Sequence, residues 1–256
     1  MLERIEVAGR GLEARRVPGD DPDSPTIVLL HEALGCVSLW RDFPERLAAE
    51  TGWPVVAWSR WGYGRSDRRP RPWPFDYHEL EARLVPDVLE ALGVGRHVLW
   101  GHSDGATIAL QVAGLRPAPG LLGVVSVAGH VLVEEAVGDP LGVALERFER
   151  GGLRERLARH HEDVEVVFGE WHRIWTDPHF TATWDIRFQI GASTVPTLVV
   201  QGADDEYATL DQVDAICASL PPPVTRVVLE EVGHQPMFEA PDDLAEVTAA
   251  FCRALG

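Results

Sequence analysis

Short, largely apolar runs recur along the chain and alternate with longer stretches whose apolar positions return every third or fourth residue. Residues 26–30, 54–58, 96–100, 121–128, 197–201 and 224–230 read as strands, the first as a buried one by its continuous apolar run. Residues 38–50, 76–92, 209–220 and 242–255 have helical spacing. In the first of these, Leu39, Phe43, Leu47 and Ala48 share a face and Ser38 is available as an N-cap; Gly93 ends the second. Ahead of them, residues 4–7 and 12–17 suggest a hairpin, followed by a Pro/Asp-rich linker at 18–25. Strands alternating with helices at this spacing predict an α/β protein with a mostly parallel, twisted sheet flanked by helices. Between residues 129 and 194 the strand rhythm stops. That segment predicts helices at 140–150 and 153–161, then a portion rich in aromatics: Phe168, Trp171, Trp175, Phe180 and Trp184.

One turn in this pattern carries chemistry. Gly101-His102-Ser103-Asp104-Gly105 follows the apolar run ending at Trp100 and precedes a helix-like stretch from Ala106 to Leu110. This is a G-x-S-x-G pentapeptide in strand–turn–helix context, which predicts an exposed, nucleophilic Ser103. The flanking glycines leave room for a strained backbone, and the helix that starts there aims N–H groups at developing negative charge. A glycine-rich turn without chemistry would have the same five letters. A nucleophilic serine also needs a base and an acid that orients it. Downstream, Gly202-Ala203-Asp204-Asp205-Glu206 follows one predicted strand, and Val232-Gly233-His234-Gln235-Pro236 follows another. Residues that do chemistry on open α/β sheets sit at such carboxyl ends.

Together these segments resemble the α/β-hydrolase family over nearly the whole chain. His31-Glu32-Ala33-Leu34-Gly35 looks like the family's oxyanion loop, and Trp61-Gly62-Tyr63-Gly64-Arg65-Ser66 like its glycine-rich loop. Gly202 to Asp205 matches the family's G-x-x-D acid motif, which selects Asp205, with Asp204 one residue of register away; Gly233-His234 with Pro236 matches its histidine loop. The resemblance implies a Ser103–Asp205–His234 triad with oxyanion donors at the Ala33 and Asp104 N–H groups. Glu32 stands where the family usually has glycine, so its carboxylate is expected to turn away or to be paired. The resemblance also implies an α/β-hydrolase core at 1–128 and 195–256 and a helical cap at 129–194. Within that cap Phe168, Trp171, Trp175 and Trp184 are candidates for a substrate pocket, though aromatics at this spacing also form cores. Family members such as dehalogenases and epoxide hydrolases carry aspartate at the centre of the pentapeptide; here that residue is Ser103, so acyl transfer is the expected chemistry. The implied activity is that of a carboxylesterase-like serine hydrolase, cleaving esters or lactones of small to medium, largely uncharged molecules. Carbon–carbon bond hydrolases and acyltransferases share the triad. A hydrolase fold reused as a non-catalytic small-molecule binding protein is the reading from a different class.

Composition narrows the rest. The 256 residues, 45% of them apolar, suffice for one sizeable core. The formal charge is −17, which disfavours nucleic acid and anionic membranes as partners. All 23 basic residues are arginine, so Ser–Lys and Schiff-base mechanisms are excluded. Cys36, Cys217 and Cys252 form neither a metal spacing nor a disulfide framework. With a charged N-terminus lacking an apolar signal core, they suggest a cytoplasmic protein. Gly62-Tyr63-Gly64 begins like a dinucleotide fingerprint but lacks its third glycine, and the adjacent His160 and His161 would diverge by ~100° on a helix. No metal or organic cofactor is expected, and His31 and His102 read as structural.

Overall fold

The computed structural model describes residues 1–21, 23–134 and 139–256. Pro22, in the 18–25 linker, and residues 135–138, in the 129–194 segment, lie outside the described residues. The strands β1 (Leu2–Val7) and β2 (Arg10–Val17) form the N-terminal hairpin. Next come β3 (Thr26–Leu30), α1 (Phe43–Thr51), β4 (Val55–Trp58) and α2 (Tyr77–Ala91). These lead to β5 (His97–His102), α3 (Asp104–Leu115) and β6 (Leu121–Val127). Helices α4 (Pro140–Glu149), α5 (Leu153–Leu157), α6 (Val164–Trp175), α7 (Pro178–Thr183) and α8 (Arg187–Ile190) then precede β7 (Thr197–Gly202). The chain closes with α9 (Leu210–Ser219), β8 (Val224–Leu229), α10 (Pro236–Glu239) and α11 (Pro241–Ala254).

The strands form one sheet in the order β1-β2-β4-β3-β5-β6-β7-β8. It is antiparallel across β1, β2 and β4 and parallel from β4 to β8. Period-2 alternation splits each inner strand between two cores. Ile27, Leu29, Val98 and Trp100 face the side covered by α1 and α11, with Phe43, Leu47 and Phe251. Val28, Leu30 and Leu99 face the opposite side, against α2, α3 and α9. Each fully buried aliphatic side chain stabilises the fold by roughly 1.5–3 kcal/mol, so both layers are needed to hold the central β5.

The helix expected at 38–50 is divided. Arg41 has φ 53°, in the left-handed region that an α-helix cannot pass through. Val37–Trp40 is therefore a short 3-10 turn, and α1 starts after Asp42 with Pro44 in its first turn. Ser38 does not cap a helix; its hydroxyl bonds the His160 ring at 2.8 Å. Likewise α5 stops at Leu157, short of the expected 161. His161 leaves the helix, where Gly64 N donates to its Nδ1 (3.0 Å) and its Nε2 donates to the Leu34 carbonyl (2.9 Å).

The helices between β6 and β7 pack on loops that follow the carboxyl ends of strands. Phe148, Leu157, Phe168 and Trp171 cluster with Ala33, after β3. Val167, Ile174 and Phe180 cluster with Tyr63 and Trp73, after β4, and with Tyr77. This places them over the edge of the sheet where β5 ends at Ser103. Among the described helices none is long and apolar enough to cross a membrane.

Candidate active site

Ser103 sits between β5 and α3 with φ 52° and ψ −118°, a conformation that costs a non-glycine residue about 1–3 kcal/mol. The turn is tight enough that its glycines are obligatory. A Cβ at Gly105 would collide with the Leu30 carbonyl, and one at Gly101 with the Gly105 carbonyl. Ser103 N donates to Val127 O (2.9 Å) and Ser103 O accepts from Thr107 N (3.0 Å), which pins the strained residue to β6 and to the first turn of α3.

His234 follows β8 and Asp205 follows β7, and the structure brings them together. His234 Nδ1 lies 2.9 Å from both Asp205 carboxylate oxygens. The carboxylate is further held by Gln201 Nε2 (2.9 Å) and the Tyr207 N–H (2.8 Å). Asp204, one residue earlier, is exposed and its N–H is tied to Val232 O (2.9 Å). Backbone capture aims the histidine loop: Glu239 accepts from Gly233 N (2.7 Å) and Gln235 N (3.0 Å), and Glu206 accepts from His234 N (3.2 Å). Burial opposes a charged His234, but the charge and hydrogen bonds of Asp205 outweigh it and raise its pKa. Burial would raise Asp205, and the facing His234 instead lowers it.

Ser103 and His234 line one cavity of about 580 Å³, together with Ala33, Asp104, Trp171 and Trp175. Among the described residues no hydrogen bond joins Ser103 to His234; such bonds are often long in ligand-free sites and tighten around substrate. Neither the Ala33 nor the Asp104 N–H has a partner among the described hydrogen bonds. Of the four aromatics expected in a pocket, two are elsewhere. Phe168 stacks on Phe148 with ring centroids 3.9 Å apart, and Trp184 packs against His78 (5.4 Å) and Trp175 (5.4 Å). Phe168 is buried among these helices, whereas Trp184 stays half-buried against its neighbours, and neither lines the cavity.

Two further connections bind the loops to each other. Glu32 is paired: its Oε2 lies 3.8 Å from His102 Nδ1, and His102 Nε2 donates to the His234 carbonyl (2.7 Å). Burial would raise the Glu32 carboxyl, yet His102 brings it down to about 2. Beneath the elbow, the Asp104 side chain accepts from Tyr77 Oη (2.8 Å) and lies 3.0 Å from His78 Nε2 and 3.4 Å from Arg60 Nη2. The same Arg60 nitrogen donates to the Glu32 carbonyl (2.9 Å), which also accepts from His31 Nδ1 (2.7 Å) and Gly35 N (3.0 Å). That carbonyl belongs to the planar trans peptide whose other end is the Ala33 N–H, so fixing one aims the other.

Three cavity residues around His234 were not foreseen from the sequence. Tyr207 lies over His234 (ring centroids 4.7 Å), and His130 lies 6.1 Å from it and 5.6 Å from Trp175. Burial, then the His234 charge, lowers His130 to about 4, so it is neutral. Its place just beyond the carboxyl end of β6 was the available signal. Glu206, adjacent to the acid motif, is the third.

The sequence profile of the alpha/beta hydrolase family matches residues 27–247, and the chain belongs to that family. Epoxide hydrolase A of Mycobacterium tuberculosis (strain ATCC 25618 / H37Rv) is 26% identical over 320 residues, covering 99% of this chain and 97% of that protein. Among solved structures, a bacterial membrane phospholipase A superposes with a TM-score of 0.78 at 20% identity, covering 100% of this chain and 86% of the other. The enol-lactonase from Burkholderia xenovorans LB400 superposes at 0.75 with 20% identity, covering 97% and 99%. At these identities the structural likenesses speak for the fold alone.

Proposed function

We propose that this protein is a serine hydrolase of carboxylic esters or lactones, acting through an acyl-enzyme on small to medium substrates with an apolar acyl part. The observation that carries this reading is the convergence on one cavity of a strained Ser103, a His234 oriented by Asp205, and two unpartnered backbone N–H groups. His234 takes the Ser103 proton as the hydroxyl oxygen attacks the acyl carbon. The carbonyl electrons move onto oxygen, where the Ala33 and Asp104 N–H groups hold the oxyanion, each contributing about 3 kcal/mol to the transition state. Collapse expels the alcohol, which receives the proton from His234. Water activated by the same imidazole then attacks the acyl-enzyme and frees Ser103 and the acid. Arg60 is a positioning residue in this scheme, since it grips the Glu32 carbonyl and the Asp104 carboxylate behind the two donors.

Residues 129–194 serve as the cap, with Trp171 and Trp175 on its substrate side. An aspartate nucleophile has no counterpart at the turn: its central residue is Ser103, and Asp104 is the following residue with its carboxylate engaged below. Three free cysteines fit a reducing compartment, and we assign the protein to the cytoplasm. The test is a panel of p-nitrophenyl esters, lactones and a vinylogous diketone. Ester or lactone turnover that disappears in Ser103→Ala supports the reading. Turnover of the diketone alone would replace it with carbon–carbon hydrolysis, and binding without turnover of any kind would make the protein a binder.

A further inference from the structure

Four arginines stand beside the apolar residues of the cavity lining. Arg41, Arg147, Arg156 and Arg159, with His160, line the cavity alongside Leu141, Leu153 and Leu157. Helical spacing accounts for the arrangement. Pro140, Ala144 and Arg147 share one stripe of α4; Leu153, Arg156, Leu157 and His160 continue a second stripe through and past α5. The arginine stems extend the apolar wall while their charged ends stay exposed at the rim. Arg41 joins them from the 3-10 turn, its guanidinium 4.4 Å from the Phe238 ring centre. Burial first, then the charges of Arg159 and Arg41, makes His160 harder to protonate. On the inner side, the charge of Arg147 reaches the Tyr207 phenol that covers His234, where it opposes burial and Glu206.

None of the four arginines makes a salt bridge among the described residues. Among the described residues, four of the acids on the same cavity accept hydrogen bonds from the protein's own donors, and Glu32 faces His102 at 3.8 Å. Asp104 and Glu32 are held as described above. Glu134 accepts from Thr209 N (2.9 Å) and Oγ1 (3.1 Å), Asp139 caps α4 through Gly142 N (2.8 Å), and Glu206 accepts from His234 N (3.2 Å). The overall charge of −17 favours an uncharged substrate, but the free groups at the rim are of the other sign. Guanidinium forks match carboxylate and phosphate oxygens.

We infer that the rim is a subsite for an anionic group, a carboxylate or a phosphate, carried by the substrate away from its scissile carbonyl. This rests on the serine-hydrolase reading and narrows it: the substrate is apolar beside the reacting carbon and anionic at its far end. The test uses Ser103→Ala protein, which holds esters without turning them over, and calorimetric titration with two matched pairs. Monomethyl adipate is compared with dimethyl adipate, and 1-butanoylglycerol 3-phosphate with 1-butanoylglycerol. The anionic member of at least one pair should bind about tenfold tighter than its neutral partner. That advantage should shrink as salt screens it, and it should disappear when Arg147→Gln and Arg159→Gln are added. The pair that responds identifies carboxylate or phosphate. Equal affinities within both pairs, an advantage that survives the arginine substitutions, or no binding by either anionic ester would overturn the inference. Hydrolysis of dimethyl adipate by the unmodified protein is read separately, so the subsite and the triad fail independently.

Discussion

Each residue of the proposed triad makes a distinct prediction because each has a distinct environment. Ser103→Ala and His234→Ala should each lower kcat on a p-nitrophenyl ester by a factor on the order of 10⁶ with the fold intact by circular dichroism. Asp205→Asn should cost on the order of 10⁴-fold, whereas Asp204→Asn should change little, since its side chain points to solvent. The opposite ranking would reassign the acid. A general base must be neutral, and Asp205 raises the His234 pKa above its ordinary 6.5 against the pull of burial. The acid limb of kcat/KM should therefore have its midpoint above pH 6.5, and it should move down in Asp205→Asn, where only the Glu206 and Glu32 charges still oppose burial. Stability runs the other way. A raised histidine pKa means the ion pair's contribution is complete below the unfolded pKa and is lost as pH rises through the folded one. The catalytically competent form is thus the less stabilised one.

At the scale of elements, what was legible in the sequence is what is written in consecutive residues. The elbow occupies five positions and announces itself by its glycines and by the run before it. Because a Cβ at Gly105 meets backbone, Gly105→Ala should destabilise the protein by about 3 kcal/mol or more, read by chemical denaturation. The break at Arg41 was not legible, since the apolar spacing of residues 38–50 continues across it while the backbone does not. The clamp beneath the elbow was hidden for a different reason. Tyr77, His78 and Arg60 stand 27, 26 and 44 positions from Asp104 and meet it only once α2 and the β4 loop are in place. Arg60→Lys keeps the charge, but the shorter side chain ends before the position of Nη2, the one nitrogen that meets both acceptors. We expect kcat to fall about tenfold with KM little changed, the signature of misplaced oxyanion donors. A matched rise in KM would instead mean that Arg60 shapes the pocket.

The whole molecule explains why the sheet was easy to read and the helical segment was not. Strands buried on both faces leave continuous apolar runs, so β3 to β7 appear directly in the pattern, while β8, at the sheet's edge with Thr225 and Arg226 exposed, shows by its valines. The helices between β6 and β7 bury their aromatics against one another and against loops from both halves of the chain. Spacing therefore cannot say which rings face the cavity: Trp171 and Trp175 do, Phe168 and Trp184 do not. The molecule also stores stability in a buried charge cluster at its centre. Burial would raise the Asp104 carboxyl, but His78 and Arg60 hold it far below the ordinary value of 3.8. Its contribution is complete above that unfolded value and is lost as pH falls toward the depressed one. Asp104→Asn leaves Arg60 buried without its carboxylate, so stability at neutral pH should drop by about 3–5 kcal/mol. The acid side of the stability curve should flatten, measured by denaturation across pH.

The proposal that β5, β7 and β8 converge on a single activated hydroxyl is tested most directly by labelling the native protein with a fluorophosphonate and mapping the adduct by peptide mass spectrometry. One adduct on the peptide carrying Ser103, absent from His234→Ala treated in parallel, is the predicted result. An adduct on another residue, or none on the folded protein, would contradict the account.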